Sequence, residues 1–487
     1  MPQQRILPQR ILVLGASGYV GQNLIPQLIA AGHQVTAAAR RVEWMQAQGW
    51  ENTRCCYADL YDKSTLETLF QDIDVVYYLV HSMTDDSDLL ARERLAAENV
   101  QAVLNNSAVR EVIYLSAMQH RDSDSPHLAA RRLTGEILAD SRVPVTEIRA
   151  AIIVGPGSAA FEIMRDMVYN LPILTPPRWA RSKSSPVALE NLLNYLTGLL
   201  AHPADGNRRF DATGPDYLSY LEMFRHFITI SGKKRLMIPL PIPLQLISVH
   251  FLRLITTVPE GIAKELIMGL KYDLPGDGKP LQALIPQTLL SFDDAVRKTL
   301  KDEADAVDNE DWGYDPEVRA RWRPGFGFYP KQAGFTLNTS ASADALWHVV
   351  QQIGGKDGYF YANILLSVRA RLDDLCGNKI TYGRPDRDTL EPGDKIDGWK
   401  VITVKPRQQL SLLFGMKAPG LGRLTFTIRD HGHQRTLDVR AWWHPAGFSG
   451  LLYWFAMMPA HLFIFKGMAK TIVKRAAAYA PSASEKT

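Results

Sequence analysis

The amino-acid sequence predicts an α/β fold, a doubly wound parallel sheet with a helical covering region, followed by a separate α+β domain. Three observations lead there. Between residues 10 and 154, continuous apolar strands alternate with amphipathic helical stretches, the pattern of a parallel sheet covered on both faces. A glycine-rich turn joins the first strand to the first helix. Beyond residue 335 the pattern becomes helices and strand-like segments separated by turn residues, as in an antiparallel meander.

Length and composition set bounds on this architecture. At 487 residues the chain exceeds one ordinary domain. Apolar residues make up 46% and charged residues 22%, which supports packed cores. A formal charge of +4, with no basic stripe interleaved by aromatics, excludes a nucleic-acid binder. The three cysteines, Cys55 beside Cys56 and Cys376 alone, give no disulfide framework and no metal-ligand spacing. They predict a reducing, cytoplasmic setting. The first apolar run leads straight into the glycine turn and predicts no signal peptide.

The first strand is read at 11–14, its turn at Gly15-Ala16-Ser17-Gly18-Tyr19-Val20-Gly21, and the first helix from near Asn23. Strand, glycine turn and helix N-terminus together suit a dinucleotide pyrophosphate. Gly15 permits the tight turn, Gly18 lets backbone approach phosphate, Gly21 lets helix and strand pack closely, and helix amides face the anion. The second strand, 33–39, ends in Arg40-Arg41, where an NAD site carries an acid for the ribose 2′-hydroxyl. A guanidinium pairs instead with a 2′-phosphate, so the expected cofactor is NADP(H) rather than NAD(H).

The alternation continues with a strand at 53–58, a helical stretch at 64–70, strands at 74–80 and 112–116, helices at 89–107 and 126–140, and a strand at 145–154. Ligands of such sheets lie beyond the carboxyl ends of the strands. That rule gathers the glycine turn, Arg40, Asp59, His81-Ser82, Ser116 and Gly155-Pro156-Gly157 into one crevice.

The motif GASGYVG, the pair Asp59-Leu60, Leu115-Ser116 and the run Ile152-Ile153-Val154-Gly155-Pro156-Gly157 resemble an atypical or extended short-chain dehydrogenase/reductase, a Rossmann-fold family, over about residues 10–330. The resemblance implies that Asp59 and Leu60 line the adenine. It also implies that the end of the fourth strand, Leu79 and His81, and Ser116 lie beside the nicotinamide. The family's Tyr-x-x-x-Lys pair is absent. The comparable pair is His127 and Arg131, four apart and so on one helix face. Histidine, with a reference pKa of about 6.5, suits a general acid near neutral pH, whereas arginine does not titrate there. The bland reading is a helix-surface or cofactor-orienting pair. Residues 160–330 read as the variable, substrate-covering part, with helices beginning at 185–191 and at 220–231, a short strand and turn at 209–215, a proline-rich apolar segment at 236–259 and an irregular linker at 302–330.

The last third predicts helices at 342–353 and 363–376, strands at 399–404, 409–416, 424–428 and 435–443, and an apolar final helix from about Gly450. This order suggests a helix-grip domain over 335–478 that holds a hydrophobic small molecule. Gly354-Gly355, Arg369, Gly393-Asp394, Trp399-Lys400-Val401, Pro419-Gly420, His444-Pro445 and Tyr453-Trp454 resemble the uncharacterised domain fused to a dehydrogenase-like domain in bacterial YbjT-like proteins. The stretch 447–465 is uncharged apart from His461 and is followed by Lys466, Lys470, Lys474 and Arg475. A buried closing helix, peripheral membrane contact and a membrane span are its three readings, the span being opposed by the positive-inside tendency. His431, His433, His444 and His461 form no metal-ligand cluster.

Three functions remain open from these residues: a reductase passing hydride to a carbonyl or quinone-like acceptor with Ser116, His127 and Arg131 at its centre, a non-catalytic NADP(H) sensor, and a membrane-associated lipid-handling or assembly factor.

Overall fold

The computed structural model describes residues 7–80, 88–120, 125–176, 178–238, 254–258, 263, 266, 272–305, 318, 321–355, 358–361, 383–387 and 389–479. His81, Arg369 and the helix expected at 363–376 lie outside the described residues. The chain divides into two compact units, residues 1–168 with 172–303, and residues 169–171 with 304–487.

In the first unit, β1 (Arg10–Leu14), β2 (Gln34–Ala39), β3 (Thr53–Tyr57), β4 (Val75–Tyr78), β5 (Glu111–Ala117), β6 (Val145–Ala150) and β11 (Arg208–Ala212) form a parallel sheet in the order β11-β6-β5-β4-β1-β2-β3. The order reverses between β1 and β4, the switch point at which such sheets bind ligands. Ile11 and Val13 enter one apolar layer with Val35, Ala37 and Ile113, and Leu12 and Leu14 enter the other with Ala38, Val76 and Tyr114. With both faces of the central strands β1, β4 and β5 buried, no polar alternation survives there, hence their continuous apolar runs. Helices α1 (Tyr19–Ala30), α2 (Val42–Gln46), α3 (Leu89–Leu104) and α4 (Pro126–Ala139) connect the strands.

Several boundaries differ from the sequence expectation. Helix α1 starts at Tyr19 rather than near Asn23, because extended Gly18 (φ −83°, ψ 168°) is its N-cap and Tyr19, Val20 and Gly21 fall inside the first turn. The helical stretch expected at 64–70 is one 3-10 turn at Lys63–Thr65, held by the Asp62 side chain accepting from the Ser64 amide. The strand expected at 145–154 breaks after Ala150, and β7 (Ile153–Val154) pairs with β10 (Val187–Ala188) outside the main sheet. Strand β10 takes the residues expected to open a helix, so α6 (Leu189–Gly198) starts late. Two-residue strands β8 (Ile173–Leu174), β9 (Lys183–Ser184), β12 (Leu218–Ser219) and β13 (Leu236–Met237) accompany helices α5 (Ala159–Asn170), α7 (Tyr220–Ser231), α8 (Lys279–Leu284) and α9 (Phe292–Asp305). Helix α7 sits where the sequence places it: Ser219 and Glu222 form a capping box, and left-handed Gly232 ends the helix.

The second unit is an antiparallel sheet in the order β14-β19-β18-β17-β16-β15. Its strands are β14 (Lys331–Thr339), β15 (Lys395–Ile396), β16 (Trp399–Lys405), β17 (Gln409–Phe414), β18 (Gly420–Asp430) and β19 (Arg435–Pro445). The four expected strands are its centre, and β14 and β15 add an edge on each side. Helices α10 (Ala343–Gln351) and α11 (Gly447–Ala478) belong to this unit. One core joins Leu346 and Val350 of α10, Leu412, Phe426 and Val439 of the sheet, and Trp454, Met468 and Ile472 of α11. Alternate residues Leu413 and Leu421 face the other side and pack on Val318 and Trp322, so part of the expected linker is structured against this unit.

Candidate functional site

The glycine turn is held at the switch point by its own backbone. Gly15 adopts φ +88°, which favours glycine. A Cβ on Gly15 would sit 3.0 Å from Val80 Cγ2 and 3.1 Å from the Leu79 carbonyl carbon, so the turn lies against the end of β4. The Gly15 amide donates to the Ala38 carbonyl at 3.0 Å and the Gly18 amide to the Gly15 carbonyl at 2.9 Å. A Cβ on Gly21 would fall 2.4 Å from the Gly15 carbonyl oxygen, a contact only glycine tolerates. Helix α1 has no acidic residue in its first turn and no side-chain cap. No side-chain carboxylate of its first turn competes there with an anion, which the helix dipole favours.

The residues around the turn take defined places. Ala16 is fully buried. The Ser17 carbonyl accepts from Arg41 Nη2 at 3.0 Å, and the same guanidinium lies 5.4 Å from the Trp44 ring centre. Arg41 thus holds its charge at the rim of the glycine turn, while Arg40 is exposed beside it. Asp59 forms a local turn, its Oδ1 accepting from the Tyr61 amide at 3.1 Å. Leu60 and Leu79 are buried, and the Leu79 amide donates to the Leu14 carbonyl at 3.0 Å. Val20 stands in the first turn of α1 with Tyr19, whose hydroxyl lies over Gly155: a Cβ there would come 2.7 Å from Tyr19 Oη. The turn after β7 is thereby brought to the start of α1.

At the end of β5, Ser116 is buried and its Oγ meets no hydrogen-bond partner of ordinary geometry, with the Tyr114 phenol as neighbour. Tyr114 Oη donates to the Arg131 carbonyl at 2.9 Å, and Arg131 Nη1 donates to the Leu115 carbonyl at 3.2 Å. Arg131 Nε is buried without a partner. Both His127 and Arg131 lie on the buried side of α4, at 8% and 7% exposure, which removes the helix-surface reading. Burial first, and the Arg131 charge second, lower the His127 imidazole to about 3. It is neutral at physiological pH, which corrects the expectation of a general acid titrating near 6.5.

The polar residues behind this pair do not stand out in the sequence. Tyr78 and Tyr114 meet edge to face at 5.5 Å, and burial raises both phenols above their ordinary range. Glu93 of α3 is buried and accepts from Thr134 Oγ1 at 3.4 Å. The signal was Glu93 itself, which stands at core spacing with Leu89, Ala96, Ala97 and Val100. No group of three or more His, Cys, Asp or Glu among the described residues has an arrangement that would hold a metal.

Comparison with known proteins follows this division. Residues 15–152 match a family described as NAD(P)H-binding, and residues 332–468 match a family described as protein of unknown function (DUF2867). A UDP-glucose 4-epimerase of Vibrio cholerae is 25% identical over 270 residues, 49% of this chain and 80% of that protein. Cinnamoyl-CoA reductase 1 of Oryza sativa subsp. japonica is 27% identical over 119 residues, 22% of this chain and 34% of that protein. A crystal structure of a nucleoside-diphosphate-sugar epimerase from Staphylococcus aureus superposes with a TM-score of 0.50 at 14% identity, covering 59% of this chain and 99% of that one. The first unit therefore carries an NAD(P)-binding Rossmann domain, and a separate C-terminal domain of uncharacterised family is fused to it.

Proposed function

We propose that the first unit, which ends at residue 303 rather than at the expected 330, forms an NADP(H)-dependent reductase that passes a hydride to a carbonyl or quinone-like acceptor, with residues 335–478 in its second domain. Arg41 carries the NADP(H) preference. Its guanidinium is tied to the Ser17 carbonyl at 3.0 Å, at the strand end where an NAD site needs an acid. Arg41 and Arg40 would hold the 2′-phosphate, and the amides of residues 19–21 the pyrophosphate. The likeness to a protein named a reductase, though partial, favours reduction.

Bound nicotinamide supplies the hydride. The chain's own residues supply polarisation and position. Ser116 Oγ, buried and without an ordinary partner, donates to the acceptor oxygen. His127, neutral at working pH, acts as a hydrogen-bond donor, and the proton that completes the alcohol comes from solvent. Arg131, anchored on the Leu115 carbonyl, orients cofactor and acceptor. A second reading, a non-catalytic sensor of the NADP(H) pool, is favoured by that neutral His127, which leaves no acid titrating near pH 7 in the pair.

The test is NADPH oxidation with a panel of quinones and aldehydes. Turnover is expected with at least one acceptor, and Ser116→Ala is expected to lower it by about 10- to 100-fold at unchanged NADPH affinity. Tight binding with no oxidation across the panel would favour the sensor.

A further inference from the structure

Helix α11 buries one side and leaves the other bare. Trp454, Ile464, Phe465, Met468, Ala469, Ile472 and Ala476 enter the core of the second unit, and Gly450 and Leu451 are buried as well. Along the opposite side, in steps of three or four residues, run Phe448, Leu452, Phe455, Pro459 and Leu462, then Lys466, Lys470 and Lys474, all exposed, with Phe463 flanking. Phe448 is 53% exposed, Leu452 61%, Leu462 62% and Phe463 57%, and it is their succession along one helix line that sets this stripe apart from scattered surface apolar residues. Only 28% of the most apolar 18-residue window of the helix is buried.

We propose that this stripe docks the C-terminal domain on an anionic phospholipid surface. The 32-residue helix contains no Asp or Glu, and its lysines follow the apolar residues on the same line. Lys331 adds a cation beside Phe455, 6.0 Å from its ring centre. An apolar segment of about 22 Å from Phe448 to Phe463, ending in a row of ammonium groups, matches an acyl boundary rimmed by phosphates. The helix lies on the bilayer and does not cross it, because its other side is the core of its own sheet. A second copy is disfavoured as occupant: paired stripes would bring lysine rows together or set them against apolar side chains. This inference stands apart from the nucleotide reading and uses none of its residues.

The experiment is co-sedimentation of the full chain with vesicles of phosphatidylcholine alone and of phosphatidylcholine containing phosphatidylglycerol, at low and high salt. The wild-type chain is expected to bind the anionic vesicles more than about tenfold better, an advantage that shrinks as the Debye length falls from about 10 to about 3 Å. Neutralising Lys466, Lys470 and Lys474 to Gln together is expected to remove most or all of that advantage, each lysine contributing up to about fivefold. Leu452→Ser with Leu462→Ser is expected to weaken binding to both vesicles by about tenfold or more. These positions are exposed, and an unchanged circular dichroism spectrum would show the variants folded. Equal partition onto both vesicles, no binding at all, or variants that pellet like the wild type would overturn the proposal. So would a dimer in sedimentation velocity that the stripe variants dissolve, which would give the stripe to a second copy.

Discussion

His127 shows how a residue legible in sequence takes its chemistry from burial. The four-residue spacing places it on one helix face with Arg131, but not which face, and the buried side moves its imidazole to about 3. If the chain turns over, its rate should show no step near pH 6.5 from this group, and a pH–rate profile with such an inflection that disappears in His127→Gln would contradict the assignment. Because the folded pKa lies below the ordinary 6.5, the stability tied to neutral His127 is full above 6.5 and is lost as pH falls toward about 3.

A second buried group was not legible, because its members are far apart in sequence. Arg165 pairs with Glu162 at 3.1 Å and with Glu303, while Asp166 accepts from the Thr257 amide at 2.7 Å and from the hydroxyls of Thr256 and Thr257. Three carboxyls share one guanidinium, so burial pushes Glu162 up to about 8 against the pull of Arg165. Arg165→Met should cost about 3–5 kcal/mol in urea unfolding, because it strands buried carboxylates. With its folded pKa above the ordinary 4.5, Glu162 contributes stability that is full below 4.5 and lost as pH rises through about 8. Glu162→Gln should flatten that decline, and an unchanged pH slope would count against a protonated Glu162.

At the scale of elements, the glycine turn was the most legible feature, since its demands are steric and local. With a Cβ at residue 21 falling 2.4 Å from the Gly15 carbonyl oxygen, Gly21→Ala should lower the melting temperature and weaken NADPH by about tenfold or more, measured by thermal unfolding and nucleotide titration. The alternation of apolar strands and helices was legible for the same reason. Element ends were not: the departure of the chain from the sheet after Ala150 depends on backbone partners distant in sequence, such as Ala212, whose carbonyl accepts from the Ala151 amide. Strand β14 escaped notice because Lys331–Thr339 is an edge strand with little burial, following an irregular run of aromatic, glycine and proline residues.

For the whole molecule, a parallel sheet with its switch point at the glycine turn and a separate antiparallel domain carry the account. The apolar final helix was legible as a helix of ambiguous purpose. Its buried side is set by the sheet it meets and its bare side by what the chain does not cover, and neither is written in composition.

The most direct measurement is titration of the full chain with NADPH and with NADH, followed by nicotinamide fluorescence, for the wild type and Arg41→Ala. NADPH is expected to bind about tenfold tighter or more, and Arg41→Ala to remove most of that preference while leaving NADH affinity nearly unchanged. Equal affinity for the two nucleotides, tighter NADH, or a preference that survives Arg41→Ala would contradict that expectation.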